Sequence, residues 1–306
     1  MKEILIIKLG YTETLDSSTG MYTSLGDVFR TTVLLHFFKG CRVSWLVDRA
    51  AVPLLAGNPR ISEIIVYGGK NTARLRGRRF DTVVNLERRE DVFALCATLS
   101  CRRFFGFRKE QGAVVSACAR LLKLSSDPSS RRRNRECWQK VLVRAVGEEW
   151  NGESYLLGYT PKGKVCVDVG FNWATSVKWE NKAWPRGRWE ELERRIGAGH
   201  TVSWQKGLKS LREYMDWIHS CRVVVTADSL GLHLALAMGK RVVALFGPTP
   251  AHEVYLYGAG TCLYPFPRRS CMPCLRPSCG SGYGCIDRIS PSRVARAVEK
   301  ELGHAG

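Results

Sequence analysis

The chain has 306 residues, 45% of them hydrophobic and 25% charged, which is the balance of a folded protein and not of a disordered one. That length exceeds most single cores and fits two domains, while no apolar run reaches the roughly 18–20 residues that a bilayer span requires. Forty-seven Lys and Arg against 28 Asp and Glu leave a formal charge of +19, so the expected partners are anionic: nucleic acid, phospholipid headgroups or phosphorylated small molecules.

The first half alternates strand and helix signals. Ile4-Leu5-Ile6-Ile7 reads as a buried strand, its apolar run being too short for a signal peptide. Apolar spacing predicts a helix from Asp27 to Lys39, opening on an acid and closing at Gly40. Strands are then expected at Val43–Val47, Ile64–Tyr67, Phe80–Leu86 and Arg103–Phe107, with helices over Ala50–Leu55 and Asp91–Leu99 between them. This alternation means βαβ units and a parallel sheet. Leu124–Arg135 is polar and turn-rich, a helix covers Glu136–Val146, and Glu148–Lys164 carries little pattern, which puts a domain boundary near 150–160. The alternation restarts with a strand at Val165–Val169, helices at Trp189–Ile196 and Leu211–His219, strands at Val223–Thr226 and Val242–Phe246, and a last helix over Ser292–Leu302. The expected division is 1–155 and 156–306, two doubly wound α/β domains facing across a cleft at the carboxyl ends of their strands.

Three segments follow strands on that side. In the first, Gly26 allows close backbone approach and Asp27 opens a helix, either as a cap or as a functional acid. In the second, Gly170–Pro185, a loop of hydroxyls and amides offers Lys178 and Lys182 as countercharges for a diphosphate, or packs its tryptophans as a surface loop. In the third, Asp228-Ser229 opens a small-residue helix whose amides favour anions, with His233 about one turn in.

Ser24-Leu25-Gly26-Asp27-Val28-Phe29-Arg30-Thr31-Thr32, Lys182-Ala183-Trp184-Pro185, Asp228-Ser229-Leu230-Gly231-Leu232-His233-Leu234-Ala235 and Leu245-Phe246-Gly247-Pro248-Thr249 resemble, in the same order, the motifs of glycosyltransferase family 9, the ADP-heptose:lipopolysaccharide heptosyltransferases and their relatives. The resemblance implies the GT-B architecture of two Rossmann-like domains, with the acceptor on the N-terminal one and the nucleotide sugar on the C-terminal one. It implies inverting transfer with no catalytic cofactor. Asp27 is then the general base, and Lys182 stabilises the departing diphosphate. Gly26, Lys178, Asp228, Ser229, Gly231, His233, Gly247, Pro248 and Thr249 are the donor-binding candidates. The sequence departs from many relatives in a longer approach to Gly26-Asp27 (Tyr11–Thr23), in the Leu230-Gly231 order, and in a brief Ile196–Leu211 stretch that suggests a reduced strand-loop.

Eight of the twelve cysteines are scattered and read as thiols of a cytoplasmic protein. Cys271, Cys274, Cys279 and Cys285 form C-x2-C-x4-C-x5-C, a set able to surround a structural zinc or iron. The expected partners are a nucleotide-sugar donor, an anionic glycolipid or saccharide acceptor, and an anionic inner-membrane surface met peripherally. The competing reading is a basic nucleic-acid-binding protein with a four-cysteine metal module, against which the arginine knots at 74–79 and 131–135 lie within or between βαβ units.

Overall fold

The computed structural model describes residues 1–11, 23–207, 210–280 and 284–305, with the side chains of Val177 and Lys178 left outside the description. Most of the Tyr11–Thr23 approach therefore lies outside the described residues. The chain forms two compact units, Met1–Tyr159 and Thr160–Gly306.

The first unit contains β1 (Glu3–Ile7), β2 (Arg42–Val47), β3 (Glu63–Val66), β4 (Arg79–Asn85), β5 (Ser100–Glu110) and β6 (Ala113–Ser116), in the sheet order β3-β2-β1-β4-β5-β6. All pairings are parallel except β5 with β6. That last pair is a hairpin turning at Gln111-Gly112, whose φ angles of 47° and 82° give the twist that a two-residue hairpin requires. The inner strands are apolar on both faces because crossovers cover both: Leu5, Ile6, Ile7, Val83 and Val84 are all fully buried.

The second unit contains β7 (Val167–Asn172), β8 (Val202–Trp204), β9 (Cys221–Ala227), β10 (Arg241–Leu245) and β11 (Gly260–Leu263), in the order β11-β10-β9-β7-β8, all parallel. Its core is aromatic. Phe171 on β7 lies 5.2 Å from the rings of both Trp189 and Trp204, and Trp184 and Trp189 cross edge-on at 5.0 Å. The indole N–H groups are satisfied by backbone, Trp184 donating to Ile289 O and Trp189 to Trp184 O, so rings of this size are buried without an orphaned donor.

Several expectations need correcting. The 27–39 helix is an α-helix over Leu25–Arg30 that tightens into a 3₁₀ turn over Thr31–His36, where the Thr31 and Thr32 hydroxyls donate to the carbonyls of Asp27 and Phe29. The polar 124–135 stretch is not a turn: Asp127 caps a helix over Pro128–Arg133 by accepting from the Ser129 and Ser130 amides. The brief Ile196–Leu211 stretch still holds β8. The patternless stretch after 148 lies back on the first unit, with Leu156 N–H donating to Thr32 Oγ1 and Asn58 Nδ2 to Leu156 O.

Each sheet order reverses once, between β1 and β4 in the first unit and between β7 and β9 in the second. Open parallel sheets bind ligands beyond the carboxyl ends of their strands at such reversals.

Candidate active site

In the first unit, β1 runs out into Lys8, Leu9 and Gly10, and β4 into Leu86 and Glu87. The Lys8 and Glu87 side chains are both 0% exposed, with Nζ 3.6 Å from Oε1. The same oxygen accepts the N–H groups of Leu9 and Gly10, each at 2.7 Å. A charge taken out of water is tolerated only when paired and hydrogen-bonded, and here one carboxylate oxygen collects a cation and two amides. Gly10 O in turn accepts from Ser24 N–H at 2.9 Å, so the buried pair fixes the start of the segment that carries Asp27.

Asp27 lies in the first turn of the Leu25–Arg30 helix, whose cap position, Ser24, makes no side-chain cap. Its carboxylate does not cap either: Oδ1 pairs with Arg30 at 3.0 Å, both side chains being largely buried. The Arg30 guanidinium lies over the Trp138 ring at 4.8 Å, and Arg131 over the same ring at 5.4 Å. Gly26 sits one residue before Asp27 in the same turn.

In the second unit, β7 ends at Asn172 and β9 is followed by Asp228 and Ser229, which opens the helix Leu230–Ala237. Asn172 is the hub. Its Nδ2 donates to Thr226 Oγ1 at 2.7 Å and to Ser229 Oγ at 3.1 Å, while Tyr214 OH donates to its Oδ1 at 2.8 Å. Gly231 is required beside it, because a Cβ there would come within 2.3 Å of Tyr214 OH and 2.4 Å of Asn172 Nδ2. With the Ser229 hydroxyl engaged in this cluster, the helix start has no side-chain cap. Helix starts without a side-chain cap favour anions.

Asp228 gathers the charged groups. Lys182 Nζ donates to its Oδ2 at 2.8 Å and to its backbone carbonyl at 3.0 Å, and Thr249 Oγ1 donates to the same Oδ2 at 2.8 Å. Burial is the largest single influence on Asp228 and opposes its ionisation, but the Lys182 cation, His233 and the hydrogen bonds from Lys182 and Thr249 together outweigh it, and the carboxyl is held below the usual aspartate range. The Lys182 ammonium also lies 4.7 Å from the centre of the Trp179 ring. His233 is buried one turn into the helix, and Gly247, Pro248 and Thr249 are buried in the turn after β10.

The structure thus brings Lys182, Asp228, Ser229, Gly231, His233 and Thr249 together, as their motifs implied, while the Lys178 side chain lies outside the described residues. The four clustered cysteines are neighbours, since Cys274, Cys271 and Cys279 add to the burial that pushes the Cys285 thiol up to about 11. Even so, among the described residues no group of three or more His, Cys, Asp or Glu side chains is placed to hold a metal ion. The expected metal set does not fit as it stands.

Asn172, Tyr214, Thr226, Lys8, Glu87 and Asn181 were not anticipated from sequence. For Lys8 and Glu87 there was a signal: each is a charged residue directly after an apolar strand run, at a sheet's carboxyl edge.

The model of glycosyltransferase family 9 (heptosyltransferase) matches residues 207–282, the stretch that contains Tyr214, Asp228 and Thr249. The chain superposes on ADP-heptose lipopolysaccharide heptosyltransferase II of E. coli with a TM-score of 0.68 at 16% identity, covering 99% of each chain. For the E. coli heptosyltransferase WaaC with ADP-2-deoxy-2-fluoro heptose the TM-score is 0.63 at 14% identity, covering 97% of this chain and 99% of that one. The chain is thus similar to family 9 glycosyltransferases in sequence over residues 207–282 and in fold over nearly its whole length.

The fold is the mixed α/β type with two parallel-sheet domains seen in GT-B heptosyltransferases. A third structure, the iron-containing dodecameric glycosyltransferase TibC of enterotoxigenic E. coli, matches with a TM-score of 0.60 at 13% identity over 99% of this chain and 76% of that one. No curated protein matches the sequence. Among the described residues no helix is long and apolar enough to cross a membrane.

Proposed function

We propose that the chain transfers heptose or a related sugar from a nucleotide-diphosphate donor, ADP-heptose foremost, to a lipopolysaccharide-type or other anionic saccharide acceptor, with inversion and without a catalytic metal. The observation that carries this reading is the cation of Lys182 held by Asp228, whose carboxylate also accepts from Thr249, beside an uncapped helix start at the reversal between β7 and β9. A diphosphate meets there an ammonium, first-turn amides and hydroxyls, the groups that stabilise a departing phosphate oxygen. The E. coli relatives bind ADP and an ADP-heptose analogue, which favours adenine in the donor.

Asp27 is the proposed base that takes the acceptor's hydroxyl proton. Its pairing through Oδ1 with Arg30 keeps the carboxylate oriented. Gly26, Lys178, Ser229, Gly231, His233, Gly247 and Pro248 complete the proposed site, with the acceptor on residues 1–155 and the donor on 156–306. The charge of +19 suits an anionic acceptor and a cytoplasmic protein lying peripherally on an anionic inner membrane. The alternative of nucleic-acid binding gains no support from the fold or the family match. A structural zinc or iron on Cys271, Cys274, Cys279 and Cys285 rests on their spacing and on the iron-containing relative, and it requires the loop to rearrange. Elemental analysis of anaerobically purified protein tests it.

The deciding experiment has two parts. Thermal shift against ADP, GDP, UDP and dTDP sugars is expected to show the largest rise with the ADP sugar, because ligand that binds only the folded state stabilises by mass action. Asp27→Ala is then expected to keep donor binding and to lose transfer by about 10²–10⁴-fold. A variant that still transfers at the wild-type rate removes Asp27 from the mechanism.

A further inference from the structure

The cysteine loop was set apart by the sequence and left without a task by the function. Its contacts supply one. Lys182 ends the turn Val177–Lys182, which is broken at Trp179 (φ −135°, ψ 59°), so no continuous helical ladder holds the lysine in place. The residue before it, Asn181, is 4% exposed and faces the loop: its N–H donates to Pro277 O at 2.9 Å, and its Nδ2 donates to Arg276 O at 3.3 Å and to Cys274 Sγ at 3.7 Å. The other side of the loop grips the turn after β10. Leu275 N–H donates to Pro248 O at 2.9 Å, and Cys285 Sγ lies 3.0 Å from where a Cβ on Gly247 would be. Lys182 and Thr249, which share Asp228 Oδ2, are therefore held at their spacing by one brace passing behind both.

We infer that Asn181 is a positioning residue for the donor: it seats the Lys182 ammonium by anchoring the Lys182 turn to the cysteine loop at Arg276 and Cys274. The inference rests on the reading of Lys182 as a ligand of the donor diphosphate. A long, flexible lysine binds a phosphate well only when its stem is placed beforehand, and an irregular turn gains that placement from contacts outside itself.

ADP is the probe, with affinity measured by calorimetry for the wild type, Asn181→Ala, Lys182→Ala and the double variant. Asn181→Ala is expected to weaken ADP about 5–20-fold, and the double variant to lie within about 2-fold of Lys182→Ala alone, because residues that act through one another are not additive. A residue with a merely structural role lowers the melting temperature without that coupling. Where Asn181→Ala fails to fold, the isosteric Asn181→Asp, which removes the Nδ2 donor, carries the same expectation. A measurement that needs no variant is the rate at which N-ethylmaleimide labels Cys274: saturating ADP is expected to slow it relative to the exposed Cys166. Asn181 variants that bind ADP like the wild type, losses that simply multiply, or a Cys274 labelling rate indifferent to ADP each overturn the inference. Lys182→Ala binding ADP normally strikes the donor-site reading itself, and the inference falls with it.

Discussion

Both units place a lysine–carboxylate pair where the order of their strands reverses, and the two pairs are built oppositely. Lys8 and Glu87 are sealed, 0% exposed and 3.6 Å apart, with the carboxylate turned on the backbone amides of Leu9 and Gly10. Lys182 and Asp228 are closer at 2.8 Å, yet keep 14% and 17% of their side-chain surface. The first arrangement organises a turn. The second leaves its cation partly open to solvent, as the proposed donor site requires. A buried ion pair thus has two distinct uses in one architecture, and solvent access separates them.

The largest effect that sharpens this contrast is expected at Glu87. Glu87→Ala removes the carboxylate that faces the buried Lys8 ammonium and is expected to cost about 3–5 kcal/mol in urea denaturation. A loss of under about 1 kcal/mol would place the pair among ordinary surface bridges and end the comparison. Lys182→Ala is expected to reverse the pattern, with ADP binding weakened about 10–100-fold and a stability change of no more than about 1–2 kcal/mol.

Gly231→Ala comes next. The added methyl overlaps Tyr214 OH and Asn172 Nδ2, and overpacking of this kind costs about 1–3 kcal/mol by the same denaturation measurement. The smallest effect is one of pH. The folded-state pKa of Asp228 lies below its unfolded value, so the ionised pair stabilises the protein above the ordinary aspartate pKa of about 3.9. That contribution is lost as pH falls through the lower, folded value. Asp228→Asn lacks it, and the difference in melting temperature between wild type and variant is expected to narrow as pH is lowered from about 5.

The parallel sheets were legible because β-branched and apolar runs such as Val223–Thr226 and Val242–Phe246 recur at βαβ intervals. Of the cluster proposed to bind the donor, Asp228 and Thr249 were legible because they follow such runs, and Lys182 because it opens the Lys182-Ala183-Trp184-Pro185 motif in the loop after β7. The Pro128–Arg133 helix was hidden by its serine and arginine content, which reads as a turn until Asp127 is recognised as its cap. Asn172, Tyr214 and Thr226 were hidden for another reason: they come from three separate elements, and their hydrogen bonds exist only after the sheet has formed. Glu87 and Lys8, 79 positions apart, escaped for the same reason.

The strand orders have a bearing on behaviour at high concentration. In the second unit the outermost strands are β8 and β11, of three and four residues. At about 3.3 Å per residue each exposes a ribbon of free backbone groups no longer than about 13 Å. A second molecule finds too little edge there to extend the sheet by strand addition, so the parallel sheet of the second unit carries its own protection against fibrous growth.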